Sequence, residues 1–317
     1  MHIFDALLSS ILVLVIIAAL GLLARQHGVL KKEMAAGLAR IVFDFGIPAL
    51  IFVSLANIDL EPRRFAGTVI MIVVELCMIA LAWVVGKRLD LTRSQLGAVV
   101  LCSAFGTSAT LGYSIVSIVF PSDQDAMVEA VLICELGVGV LVMFLGPLLA
   151  MHFSTGTSSL QTVRRSLITF LKTPLCIALV AGMLWGTLGL PGDQHPVMKP
   201  VFQVGHLLAG LVVPLAILII SLNLYRPRIK QYLKPFGVVV LLKLLLAPLL
   251  GGGIALAAGL PEIWRDDLII MAGMPPAVLN TIFLQRYGGD AGLASALTAG
   301  ASLLSLGTLL LVIAAVG

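Results

Sequence analysis

Apolar residues in this chain come in long unbroken runs rather than in alternation. Between charged or Pro/Gly-rich breaks, ten runs cover residues 4–24, 34–56, 65–86, 95–120, 126–151, 167–190, 198–223, 235–259, 267–286 and 290–316. Each is about twenty residues long, the length an α-helix needs to cross a hydrocarbon core. Barrel strands would instead alternate apolar and polar positions over about ten residues. In hydrocarbon, backbone N–H and C=O groups must be satisfied within the protein, so continuous runs of this length predict helices. The expected fold is an all-α polytopic membrane protein with ten transmembrane helices. The first run is read as a retained helix, because it lacks a basic leader (His2 and Asp5 stand there) and is too long for a signal peptide.

Composition strengthens this picture. Sixty per cent of the 317 residues are hydrophobic and only 11% are charged, where a soluble domain carries about 25%. The mean hydropathy of +1.11 requires lipid as the main solvent. The net charge of +4 comes from basic loops rather than a basic patch, so nucleic acid is not an expected partner. Cys77, Cys102, Cys134 and Cys176 all lie inside apolar runs and show no metal-ligand spacing. They are read as small hydrophobes, with no metal or other cofactor expected.

The basic residues orient the chain. Loops one, three, five, seven and nine hold thirteen Lys and Arg residues, against four in the even loops (Arg63, Arg64, Lys199, Arg265). The positive-inside rule puts the odd loops in the cytoplasm and both termini outside. The expected location is a bacterial-type inner membrane. A Ser/Thr-rich stretch at 152–166 reads as a cytoplasmic linker between two halves, 1–151 and 167–317.

The halves resemble each other. Pro48 and Asn57 in the second span match Pro214 and Asn223 in the seventh at an offset of 166, with Ser54 and Ser221 also in step to within one residue. Gly106, Phe120 and Asp123 match Gly273, Tyr287 and Asp290 at an offset of 167. A duplicated unit of five spans must insert its two copies in opposite orientations. Inverted repeats with Gly/Pro-interrupted helices at corresponding places are a signature of secondary transporters. In the ninth span Pro275 and Pro276 remove two amide donors and force Met274 out of helical geometry. In the fourth span there is no proline; a break there must come from Gly106, Thr107, Ser108 and Thr110. Two opened helices would bring free N–H groups together and attract an anion.

The stretches FGIPALIF, PLAILIISLNL and, above all, MPPAVLNTIFLQRYGGDAGLASALTAGASLLSLGTLLL resemble the auxin efflux carrier family. That family sits in the bile/arsenite/riboflavin transporter superfamily, and its bacterial members include organic-acid permeases. The most specific part is Tyr287, Gly288, Asp290, Ala294 and Ser295, which stand in the family order. The resemblance implies two inverted five-helix repeats, like those of the bile-acid sodium symporters. Spans 1, 2, 6 and 7 would form a scaffold that pairs as a homodimer; spans 3–5 and 8–10 would form a moving transport domain. It further implies elevator-type carriage of mono- or dicarboxylates. The substrate would sit at the crossing of spans 4 and 9, on Gly106, Thr107, Ser108, Ala109, Gly273, Pro275, Pro276 and Asn280. In one departure, the family commonly has Asn and Pro where this chain has Gly106-Thr107-Ser108-Ala109.

Ionisable groups within spans are costly and tend to be functional or paired. Asp44 shares a helix face with Arg40 and Pro48, as an i,i+4 pair or as a proton or gating carboxylate. Glu75 and Lys243 fall at near-equivalent places in the two halves, either as an ion pair, the favoured reading, or with the lysine anchoring substrate. Glu135 has three readings: a ligand for coupling Na⁺, a carrier of coupling H⁺, or a partner of a nearby hydroxyl. Glu129 is expected to be solvated near the outer interface. His206 is read as a pH sensor or, preferably, as bonded to a backbone carbonyl. Asn280 suits a substrate carboxylate, Asn57 and Asn223 suit helix ends, and Gly182 with Gly186 suits close helix packing. The alternative function is an uncoupled exporter or channel of the same fold. No HExxH or GxSxG motif occurs, and an enzyme is not expected.

Overall fold

The computed structural model describes residues 19–31, 33–57, 62–121, 123–154, 171–223 and 232–316, with Leu12, Ile16, Ile17, Gln161, Arg164 and Ile168 as isolated positions. Most of the first predicted span, most of the 152–166 linker and the basic loop at 224–231 lie outside the described residues. The side chain of Asn223 does too.

Helices account for nearly all of what is described. In chain order they are α1 (Met34–Ala56), α2 (Phe65–Arg88), α3 (Arg93–Ala104), α4 (Ser108–Val119), α5 (Gln124–Ser154) and α6 (Pro174–Thr187). They continue as α7 (Lys199–Ala209), α8 (Val212–Asn223), α9 (Leu233–Ala257), α10 (Glu262–Ala272), α11 (Val278–Tyr287) and α12 (Ala291–Val316). Five helical stretches, Met34–Ala56, Pro62–Arg88, Gln124–Ser154, Lys199–Ile219 and Leu233–Ala257, are long and apolar enough to cross a bilayer.

Local chemistry sets the helix ends. Thr92 and Gln95 form a capping box at the start of α3. Thr173 caps α6 with Pro174 at the first helical position, so this helix begins seven residues after the expected start at 167. Asp123 accepts the Ala126 amide at 3.1 Å and Asp290 accepts the Leu293 amide at 2.8 Å. The two aspartates stand 167 positions apart and do the same local work. Gly288, at φ 76°, ends α11 in the left-handed conformation that glycine adopts without steric cost.

Several helices widen locally into i→i+5 turns: Val42–Gly46 in α1, Ser108–Gly112 at the start of α4, Leu132–Gly139 in α5 and Val240–Leu246 in α9. Such turns are rare and concentrate at functional sites. Three of them contain Asp44, Glu135 and Lys243.

Packing sorts the helices into two groups. α6 lies along the second half of α1, α7 beside it, and α8 against the first half. Gly182 of α6 permits this closeness: a Cβ there would lie 3.0 Å from the Leu55 Cβ. The second group holds α2 against α3, α5 and α9, with α10 on α9 and α12 on α11, α3 and α9. A continuous apolar core runs through it, including Met71, Val99, Leu101, Tyr113, Ile270 and Met271.

Candidate functional site

A short non-helical stretch separates α3 from α4 and another separates α10 from α11, and the two stretches touch. Helix α3 ends at Ala104, the chain runs extended through Phe105–Thr107, and α4 begins at Ser108. Helix α10 ends at Ala272, and α11 begins at Val278. Gly106 and Pro276 form an isolated antiparallel bridge. The Thr107 amide donates to the Pro275 carbonyl at 2.8 Å, and the Ala277 amide donates to Phe105 O at 2.9 Å. Two stretches of non-helical backbone, buried in protein, thus satisfy each other, as irregular backbone at membrane depth must.

Side chains complete the junction. Lys243, fully buried, donates from Nζ to the Ala104 carbonyl at 2.7 Å. Asn280, also fully buried, donates from Nδ2 to Phe105 O at 3.0 Å, while its Oδ1 has no partner among the described residues. Ser108 Oγ reaches the Met271 carbonyl at 3.5 Å. Gly106 is the space in which this happens: a Cβ there would stand 3.0 Å from both Lys243 Cε and the Met274 carbonyl. Neither helix start is capped by a side chain; Thr107 and Ala277 occupy the N-cap positions without making that bond. Thr107 instead shares a 2.9 Å hydrogen bond with the Thr110 hydroxyl. Gly106, Ser108, Gly273, Pro275 and Pro276 are buried, and Thr107 and Ala109 are half-buried.

The ionisable groups read from the sequence do not all gather here. Lys243 does. The expected ion pair with Glu75 is not made: both Glu75 oxygens are buried without a hydrogen-bond partner among the described residues, within electrostatic range of Lys243 but out of contact. The ammonium finds a helix-end carbonyl instead, because the break at Ala104 frees one beside it. Glu135 accepts a 2.7 Å hydrogen bond from the Tyr113 hydroxyl, which ties α5 to α4; the neighbouring partner is a tyrosine rather than Ser or Thr. Asp44 is exposed and forms no ion pair with Arg40 among the described residues, since the wide turn at Val42–Gly46 disturbs the i,i+4 alignment. Among the described residues His206 makes no hydrogen bond to a backbone carbonyl through its ring. It lines a cavity of about 320 Å³ with Ser54, Ser117, Asp123 and Gln124, where α1 and α7 face the ends of α4 and α5. Glu129 is wholly buried rather than solvated, because α2 and α10 cover it. Asn57 does serve a helix end, donating to Val53 O at 3.3 Å and accepting the Asp193 amide at 3.1 Å.

Sequence reading overlooked Tyr113 and Asp267. Both are ordinary residues in apolar or mixed surroundings, and only packing reveals that Tyr113 meets Glu135 and that Asp267 is wholly buried.

Residues 6–313 match the family of membrane transport proteins, the auxin efflux carriers. The chain belongs to this family. It is therefore a multi-pass membrane protein of a transporter family. A transporter of Methanothermobacter thermautotrophicus, carried as uncharacterized, is 26% identical over 310 residues, covering 96% of each chain. An uncharacterized transporter of Methanocaldococcus jannaschii is 22% identical over 285 residues, covering 88% of this chain and 89% of its own. The match therefore embraces both interruptions and everything between them.

Proposed function

We propose that this auxin efflux carrier relative is a secondary active transporter of small organic anions, mono- or dicarboxylates, that binds its substrate where the fourth and ninth spans cross. The observation that carries this reading is Lys243 Nζ at the Gly106–Pro276 bridge. An ammonium has three donors, and Ala104 O takes one. Glu75 balances the charge from a distance and leaves the remaining donors to a ligand. Two helix starts without side-chain caps add amide donors and the positive ends of their dipoles. Positive charge and free N–H groups in an apolar surround favour a small carboxylate over a neutral or cationic solute.

In this reading the chain is ten spans arranged as two inverted five-helix repeats, with residues 1–151 and 167–317 as the repeats. The matched positions at offsets of 166 and 167 support it, as do the paired interruptions. Helices α1, α6, α7 and α8 belong to a scaffold, which pairs in a homodimer. The second packing group is the transport domain and moves against it as an elevator. The Tyr113–Glu135 bond joins α4 to α5, so that the two travel together. Both termini lie outside.

Uptake of mono- and dicarboxylates into proteoliposomes tests the proposal, after a thermal-shift screen on purified protein has named the best ligand. Replacing both Pro275 and Pro276 with alanine is expected to suppress uptake while expression stays largely intact. Unchanged flux in that variant would remove the crossover from the mechanism.

A further inference from the structure

Helices α2, α5 and α10 begin at one end of the molecule, and each brings two side chains about one turn apart: Arg64 and Thr68, Asp125 and Glu129, Trp264 and Asp267. The outer three form a layer. Arg64 Nη2 lies 3.0 Å from Asp125 Oδ1, and its guanidinium carbon lies 5.7 Å from the centre of the Trp264 ring. The inner three are different. Glu129 and Asp267 are 0% exposed and Thr68 is 5% exposed. Both carboxylates and the Thr68 hydroxyl have no hydrogen-bond partner among the described residues. Arg64 Nη1 stands 3.5 Å from Glu129 Oε1, an ion contact without hydrogen-bond geometry.

Nearby charges do not satisfy these oxygens. Asp267 lies within electrostatic range of Glu129, Asp266 and Asp123. Asp266 is held by Arg265 at 3.4 Å, and Asp123 is occupied by the Ala126 amide. Arg64 is shared between Glu129 and the exposed Asp125. Two buried carboxylates therefore face one shared guanidinium, and burying unpaired charge of that kind is expensive.

We propose that Glu129, Asp267 and Thr68 form a binding site for a monovalent metal cation of the sodium class, closed on its outer side by Arg64 over Trp264. All three donors are hard oxygens, the set that alkali and alkaline-earth ions prefer to nitrogen or sulfur. Asp125 is half exposed to solvent, so among the buried groups Arg64 offsets one of the two carboxylates and a monovalent ion balances the other. The Thr68 hydroxyl bonds neither carboxylate among the described residues, so it is left to serve an ion. An ion between Glu129 and Asp267 adds to the Nη1 contact and leaves Arg64 shared between Glu129 and Asp125. It also fixes the starts of three helices, of which α10 runs directly to the interruption at Gly273. This site shares no residue with the organic-anion crossover and does not depend on that reading.

The test is thermal unfolding of the full chain in detergent, with NaCl titrated against choline chloride at constant ionic strength. Equilibrium binding of radioactive sodium to the wild-type protein is measured alongside. The expected result is a saturable, sodium-specific rise in Tm, with apparent affinity about tenfold or more weaker in Asp267→Asn and Thr68→Val. Equal Tm in the two salts together with no bound sodium overturns the proposal. So does a sodium response that Asp267→Asn leaves intact, or stabilisation by acid in choline alone, which would assign the carboxylates to a proton. If the variants do not fold, saturable sodium binding to the wild type that lithium displaces and choline does not supports the site; its absence defeats it. Neither readout contains an organic anion, so loss of carboxylate uptake with sodium binding preserved would sink the crossover reading alone.

Discussion

The break between α3 and α4 and the break between α10 and α11 arise by different means. In the ninth span, Pro275 and Pro276 break the helix by themselves, because neither has an amide to donate and each ring obstructs the preceding turn. In the fourth span no proline is present, and the carbonyls freed at the helix end are satisfied from the other half of the chain. Ala104 O takes the Lys243 ammonium, and Phe105 O takes both the Ala277 amide and the Asn280 side chain. One break is local and the other is tertiary. The difference implies that the break after α10 shapes the one after α3, and that Lys243, besides its proposed role toward substrate, fastens α9 to the end of α3.

The largest test of that comparison is Lys243→Met. It removes the buried cation from the junction and leaves Ala104 O without its side-chain donor, at a cost of about 1–3 kcal/mol. Carboxylate uptake in proteoliposomes is expected to fall by about tenfold or more, since about 1.4 kcal/mol of lost binding is already a factor of ten. Uptake at wild-type levels would separate the lysine from the substrate. A smaller effect is expected from paired glycine variants compared by thermal unfolding in detergent. In Gly106→Ala the new methyl meets the Met274 carbonyl and Lys243 Cε at 3.0 Å, and overpacking of this sort costs about 1–3 kcal/mol. In Gly273→Ala the contacts from outside its own turn are the Leu309 Cδ1 at 3.3 Å and Pro248 Cβ at 3.6 Å, which yield more easily. Gly106→Ala should therefore lower Tm more; equal losses would mean that the fourth-span break does not rely on its close approach to the ninth. The smallest effect belongs to Asn280→Ala. Phe105 O keeps the Ala277 amide, so only about 1 kcal/mol of net hydrogen bonding is lost. A Tm unchanged within error would show that the side-chain bond adds nothing to the junction.

Much of the helix plan was legible in the chain. The span expected at 34–56 is α1 at Met34–Ala56, and that expected at 65–86 is α2 at Phe65–Arg88. Such agreement follows because an apolar run in lipid has few backbone options other than the helix. The local break at Pro275 and Pro276 was legible for a similar reason: it acts on its own few residues. Side-chain partners were not. Glu129 read as solvated because it sits one turn inside a helix start, and nothing in its neighbourhood along the chain announces that α2 and α10 cover it. Glu75 and Lys243 were paired by their charges. The freed carbonyl at Ala104, a product of the break itself, competes for the ammonium and wins it.

What the sequence determined alone is membrane residence, the positions of the helices and the ninth-span break, all of which arise from hydropathy and backbone chemistry within a window of about twenty residues. The tertiary structure decided where the fourth span opens, which carbonyls Lys243 and Asn280 serve, and that Thr68, Glu129 and Asp267 are buried together. Those outcomes depend on groups far apart in the chain meeting, as Lys243 meets the Ala104 carbonyl across 139 positions and Asn280 meets the Phe105 carbonyl across 175. Hydropathy has no reach over such separations, because it measures a residue's solvent and not its partner.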